Sequence, residues 1–180
     1  MLTIKRWTDK TIIFSSEYNY VDLFLEEIRE KDISLDYADL SNLDLNHIDL
    51  SNLKLNNCLI VNSNLFGANI NNVSLIKSTI IDSNLACIKS FESNFNKCCF
   101  ENVNVDGSLL TKCSFIKTNI SNSSFRLSHM YSINAQLSKV KDCNLSGSCF
   151  IGINYDNISI SNICTKNITF LKDKNDNNSY

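Results

Sequence analysis

The chain has 180 residues, a length that suits a single domain. Its 19 acidic and 17 basic side chains leave a formal net charge of −2, so no strong excess of either sign dominates it. The N-terminus lacks the apolar run that a signal peptide or a membrane span requires, and no proline occurs anywhere.

Residues 1–32 read as a small unit of their own. Leu2-Thr3-Ile4 and Thr11-Ile12-Ile13-Phe14 have the apolar, β-branched character of two strands, joined by a turn around Trp7-Thr8-Asp9-Lys10. Asn19 is placed to cap a helix from about Tyr20 to Lys31. Val21, Phe24, Leu25 and Ile28 have helical spacing and form its inward stripe, while Glu26, Glu27 and Glu30 face water.

From Ile33 to Lys172 the chain keeps one frame of five residues. Leu35, Leu40, Leu45 and Leu50 open a column that continues every fifth residue to Phe170. It has 28 members without a slip, and only Ser90 and Thr165 are polar. Two residues before each centre runs a second column of small or β-branched residues, among them Ala38, Cys58, Ser63, Ala68, Val73, Ser78 and Cys98, with Leu43 and Leu53 as early exceptions. A strand alternates every two residues and a helix repeats its face every 3.6, so a period of five fits neither. Fixed-period self-similarity marks a repeat architecture.

Ala38-Asp39-Leu40, Ala68-Asn69-Ile70, Ser63-Asn64-Leu65, Ser83-Asn84-Leu85 and Cys143-Asn144-Leu145 match A(D/N)LXX, and on these the chain resembles the pentapeptide-repeat family. That resemblance implies an all-β solenoid, a right-handed quadrilateral β-helix with four pentapeptides per coil and about seven coils. Residues 1–32 then become a hairpin-and-helix cap over the first coil, which repeat proteins need for solubility. The hairpin and helix also resemble, more weakly, the start of small phage and prophage pentapeptide-repeat proteins.

Four fives make a coil of 20, so residues 20 apart should stack. The position two after the centre holds all four glycines, Gly67, Gly107, Gly147 and Gly152, which predicts a corner with φ > 0. Asn or Asp fills 12 of the 28 such positions, and seven of them form one column at 20-residue spacing: Asn42, Asn62, Asp82, Asn102, Asn122, Asp142 and Asn162. Stacked amides there are expected to hydrogen-bond from coil to coil. Phe95, Phe100, Phe115, Phe125, Phe150 and Phe170 take centre positions, which predicts a fatter core toward the C-terminal half.

Eight cysteines fall in the same frame. Cys58, Cys98, Cys113 and Cys143 take the small inward column, and Cys87, Cys99, Cys149 and Cys164 point outward. Cys58 and Cys98 share a column but lie two coils apart, about 9.6 Å at the inter-strand spacing, too far for a disulfide. Free thiols are expected, and with them a reducing, cytoplasmic location. No Cys-x-x-Cys pair occurs, and His47 and His129 lie on different sides, so no metal site is expected.

The frame points to a binding surface rather than to chemistry. It brings no Ser/His/Asp set together and holds no glycine-rich loop, so neither an enzyme nor a cofactor is expected. Asp39, Asp44 and Asp49 ring the first coil at the consensus D/N position. Just after the centre, Phe91, Tyr131, Ile151 and Leu171 form an outward apolar stripe, broken by Thr111, which is the candidate partner surface. Lys77, Lys97 and Lys117 stack at a corner and read as a solvated edge. Residues 173–180 are polar and read as a disordered tail, so Ile168 and Phe170 would stand at an uncovered end, the candidate dimer end.

The expected function is a non-enzymatic protein-interaction rod, phage-encoded or a bacterial effector. It would bind an unidentified protein and pair end to end with a second copy through its C-terminus, with no nucleic acid or membrane as partner. The family resemblance implies an alternative, a DNA mimic that binds or protects gyrase or topoisomerase. That role needs a strongly negative surface, whereas residues 33–172 carry 10 acidic and 11 basic side chains, a net of +1.

Overall fold

The computed structural model describes residues 2–17 and 20–172. The tail from Asp173 and the cap residue Asn19 lie outside the described residues.

Strands β1 (Leu2–Lys5) and β2 (Ile12–Ser16) pair antiparallel, with Ile4 opposite Phe14. Helix α1 (Val21–Glu30) follows, with Tyr20 at its N-cap position and no side-chain cap bond. Phe24, Leu25 and Ile28 are buried, as their spacing predicts, and the Phe24 ring lies 5.2 Å from Phe14. Glu27 departs from expectation: it is half-buried, because its carboxylate accepts from Ser16 Oγ at 2.6 Å and pairs with Lys31.

The five-residue frame folds into a four-sided solenoid. One side carries a six-stranded parallel sheet, and a second carries a five-stranded one. In chain order these strands are β3 (Leu59–Val61), β4 (Thr79–Ile81), β5 (Lys89–Phe91), β6 (Cys99–Glu101), β7 (Leu109–Thr111), β8 (Asn119–Ser121), β9 (His129–Tyr131), β10 (Lys139–Lys141), β11 (Cys149–Ile151), β12 (Ser159–Ser161) and β13 (Thr169–Leu171). Every pairing is offset by 20 residues, such as Ile80 with Phe100. The other two sides are held by single parallel bridges at the same offset, Asp44 to Asn64 and Lys54 to Ser74 among them. On the first side Asp39, Leu59, Thr79, Cys99, Asn119, Lys139 and Ser159 stack in seven levels, hence about six turns of chain from first to last.

Each corner has left-handed backbone. Every fifth residue from Tyr37 to Asn167 has positive φ, including Asn42 at 60° and Gly147 at 73°. No Val, Ile or Thr stands at any of these positions, as expected because β-branched side chains tolerate positive φ worst. The Asn/Asp column is a set of pairs rather than a continuous ladder. Asn62 donates to Asn42 at 3.0 Å, Asn102 to Asp82 at 2.6 Å and Asn162 to Asp142 at 2.5 Å.

The inward column does more than save space. Ser108, fully buried, donates through Oγ to the Leu85 carbonyl at 3.1 Å and accepts the Ile88 N–H at 3.2 Å. Ser63, Ser78, Ser93 and Ser128 likewise donate to the carbonyl of the centre residue 23 positions back. Cys98 makes the same contact with Leu75 at 2.8 Å. The hydroxyls thus satisfy backbone groups that the coil geometry turns inward, where an unpaired polar group is costly.

The cap seals the first coil. Trp7 N–H donates to the Tyr37 carbonyl at 3.0 Å, Asp39 N–H to Lys5 at 2.8 Å, and the Trp7 indole Nε1 to Asn57 at 2.6 Å. Lys10 pairs with Asp39 at 3.2 Å and Arg29 with Asp49 at 3.8 Å, so two carboxylates of the first coil also hold the cap. Buried Ile4, Phe24, Leu25 and Ile28 are part of the same core cluster as Leu35 and Leu40.

Candidate interaction surface

The structure gathers the predicted outward stripe on the five-stranded sheet. Phe91, Thr111, Tyr131, Ile151 and Leu171 are direct partners in successive strands. Phe91 is 39% exposed and lies under the Lys112 ammonium, 5.1 Å from its ring centre. Tyr131 and Ile151 are half-buried, and Tyr131 stacks on His129 at 6.2 Å. Leu171 is the most open member, at 52%.

Further exposed apolar residues escaped the sequence reading. Leu109 is outward at the position before the centre of β7, and Leu127 occupies the corner that leads into β9. Leucine at a left-handed corner is itself a signal, since that conformation favours Gly, Asn and Asp. The Leu127 side chain lies over Gly147: a Cβ at that glycine would stand 2.6 Å from Leu127 Cδ2. His47 covers Gly67 in the same way. These glycines therefore make room for a large side chain one coil back as well as turning the corner.

The two ends of the rod differ. β12 and β13 are the last strands of their sheets among the described residues, and nothing covers them there. Phe170, Tyr155 and Ile160 take inward positions of the frame, yet each is about half exposed, and Ile168 is half-buried. Behind them a cavity of about 310 Å³ runs back toward Phe115 and Phe125. The expected fattening of the core thus stops near Phe125. In the middle coils Phe95, Phe100 and Phe115 fill the axis, with ring centres 4.7 to 6.1 Å apart. Beyond them Ala135, Val140 and Thr165 are too small to fill the same cross-section.

Charge and thiol chemistry follow the frame. Hydrogen bonds from Asn46 and Asn64 hold the Asp44 carboxyl below its ordinary value, and Asn162 does the same for Asp142. All eight cysteines are free. Burial pushes the Cys58 and Cys98 thiols up to about 12. Exposed Cys164 goes the other way, lowered chiefly by its hydrogen bond with Ser146. Among the described residues no group of three His, Cys, Asp or Glu side chains is placed to hold a metal ion. No helix there is long and apolar enough to cross a membrane.

Comparison with known proteins places the repeat. Residues 91–129 match the family model "Pentapeptide repeats" in eight copies. No curated protein sequence matches the chain. Among solved structures it is similar to a pentapeptide repeat protein from the Arabidopsis thaliana thylakoid lumen, at 18% identity and a TM-score of 0.49, over 50% of this chain and 63% of that one. The chain thus spans less than two thirds of that relative. Rfr23 from the cyanobacterium Cyanothece 51142 aligns at 14% identity and TM-score 0.35, over 84% of this chain and 99% of its own. QnrB1, a plasmid-mediated fluoroquinolone resistance protein, aligns at 10% identity and TM-score 0.41, over 76% and 94%. These likenesses say nothing of this chain's activity. Residues 91–129 thus carry pentapeptide repeats, and the same five-residue frame continues unbroken on both sides of them.

Proposed function

We propose that the protein is a non-enzymatic interaction rod whose C-terminal end pairs with a second copy of the chain, and whose outward stripe meets a different protein partner. The asymmetry of the ends carries this reading. The N-terminal coil is sealed by a hairpin and helix with buried apolar contacts, while the last coil shows half-exposed Tyr155, Ile160 and Phe170. A strand layer uncovered among the described residues invites pairing, and a two-fold contact is the commonest closed solution. Leu171 joins the end to the foot of the stripe. The eight free thiols support a reducing, cytoplasmic setting.

Light scattering on wild type and on a Phe170→Lys, Leu171→Lys variant tests the pairing. A dimeric wild type and a monomeric variant are expected. A monomeric wild type, or a dimer indifferent to both lysines, sinks the proposal. Gyrase-directed DNA mimicry is the weaker reading, because the near-neutral repeats lack the negative field it needs. Purified protein is therefore expected to leave DNA supercoiling by gyrase unchanged at micromolar concentration.

A further inference from the structure

We propose that the hollow of the last coils is a binding site for a small neutral aromatic molecule, one ring of which stacks over Ala135. The hollow lies within one chain, so this inference does not depend on pairing of the ends.

The argument starts from one column of centre residues. Phe95, Phe115, Ala135 and Tyr155 follow one another at 20-residue spacing on a single side. The Phe95 and Phe115 rings are 4.7 Å apart and 17° from parallel. That separation matches the rise from coil to coil, about 4.8 Å. The next level should carry a third ring, and it carries only the methyl group of Ala135. Tyr155 enters the same column one level further on, about 9.6 Å from Phe115 at that rise. Two coil rises leave room in the column for one ring in contact on both faces.

The walls select the chemistry of the occupant. Met130, Val140, Leu145 and Phe125 close the sides, and Tyr155 meets Phe170 edge-on at 5.6 Å near the open end. The lining has few polar groups: Ser138, Thr165 and the Tyr155 hydroxyl. The Ser138 hydroxyl is already committed to the Phe115 carbonyl. A charged guest would find nothing to offset its desolvation. An aromatic guest would meet Phe115 and Tyr155 at the 4.5–7 Å separations typical of ring pairs. The cavity, about 310 Å³, lies at the small end of the range for ligand pockets, about 300–1,000 Å³.

Toluene is the probe, followed by saturation-transfer NMR and by its effect on the melting midpoint of the full chain. Wild type should bind it saturably at one site and melt several degrees higher in its presence. Ala135→Phe supplies the missing ring from the chain itself, so toluene should no longer bind or shift its midpoint. Ala135→Leu fills the slot in part and should bind at least tenfold more weakly, which keeps the test open if the phenylalanine variant does not fold. Absence of saturable binding to wild type would overturn the proposal, as would equal binding to the leucine variant. Methylcyclohexane should bind more weakly than toluene, and equal affinity would refute the aromatic assignment.

Discussion

Replacing Ser108 by alanine removes one oxygen atom and orphans two backbone groups. Its hydroxyl is the donor to the Leu85 carbonyl and the acceptor for the Ile88 N–H, at 3.1 and 3.2 Å, in a position with no solvent exposure. A buried polar group left without a partner costs about 1–3 kcal/mol. The substitution therefore destabilises by roughly 2–4 kcal/mol, taking each of the two groups in the lower half of that range. For a protein of this size about 1 kcal/mol moves the melting midpoint by about 2–4 °C, so a fall on the order of 10 °C is expected by circular dichroism. Ser108→Cys should cost less, because Cys98 shows that a thiol in this column still reaches its carbonyl. Ser159→Ala, on the exposed face of β12, should stay within about 1 °C of wild type, since isolated surface changes have little effect. If Ser108→Ala melts with wild type, the inward column is a matter of volume alone and the hydrogen-bond argument fails.

Phe115→Asp should unfold the rod, because it places an unpaired charge beside the Phe95 ring; Lys117→Asp, two residues later on an exposed corner, should leave the melting curve nearly unchanged. Gly147→Ala should destabilise by on the order of 1–3 kcal/mol through positive φ and overcrowding, and a Leu127→Ala background should recover part of the loss, since the clash is with Leu127; additive effects in the double mutant would exclude that contact. Alkylation of the native protein followed by mass spectrometry should label exposed Cys164 first and leave Cys58 and Cys98 unmodified, and early modification of either buried thiol would show that the coils open locally.

The period of five and the positive-φ corners were legible in the residues alone. A corner every five residues must accept positive φ, and that demand is visible as Gly, Asn and Asp recurring in one phase of the frame. Four pentapeptides per coil came from the family resemblance, supported by the Asn/Asp column at 20-residue spacing, and with it the outward stripe of Phe91, Tyr131, Ile151 and Leu171. Even Ser90, a polar break in the centre column, keeps its inward place, buried against Cys113 at 3.2 Å. Tertiary structure decided what periodicity cannot encode. Whether a serine is merely small or ties two coils together depends on where its hydroxyl points, which only the stacked backbone fixes. Leu127 over Gly147 depends on contact between coils, and the half-buried state of Glu27 depends on how helix and hairpin meet. The hollow above Phe115 is likewise a property of summed volumes: each centre residue near it is an acceptable occupant of the column. The cross-section empties because Ala135, Val140 and Thr165 are small, and the rings on the same two coils, Phe150, Tyr155 and Phe170, line the hollow rather than fill it.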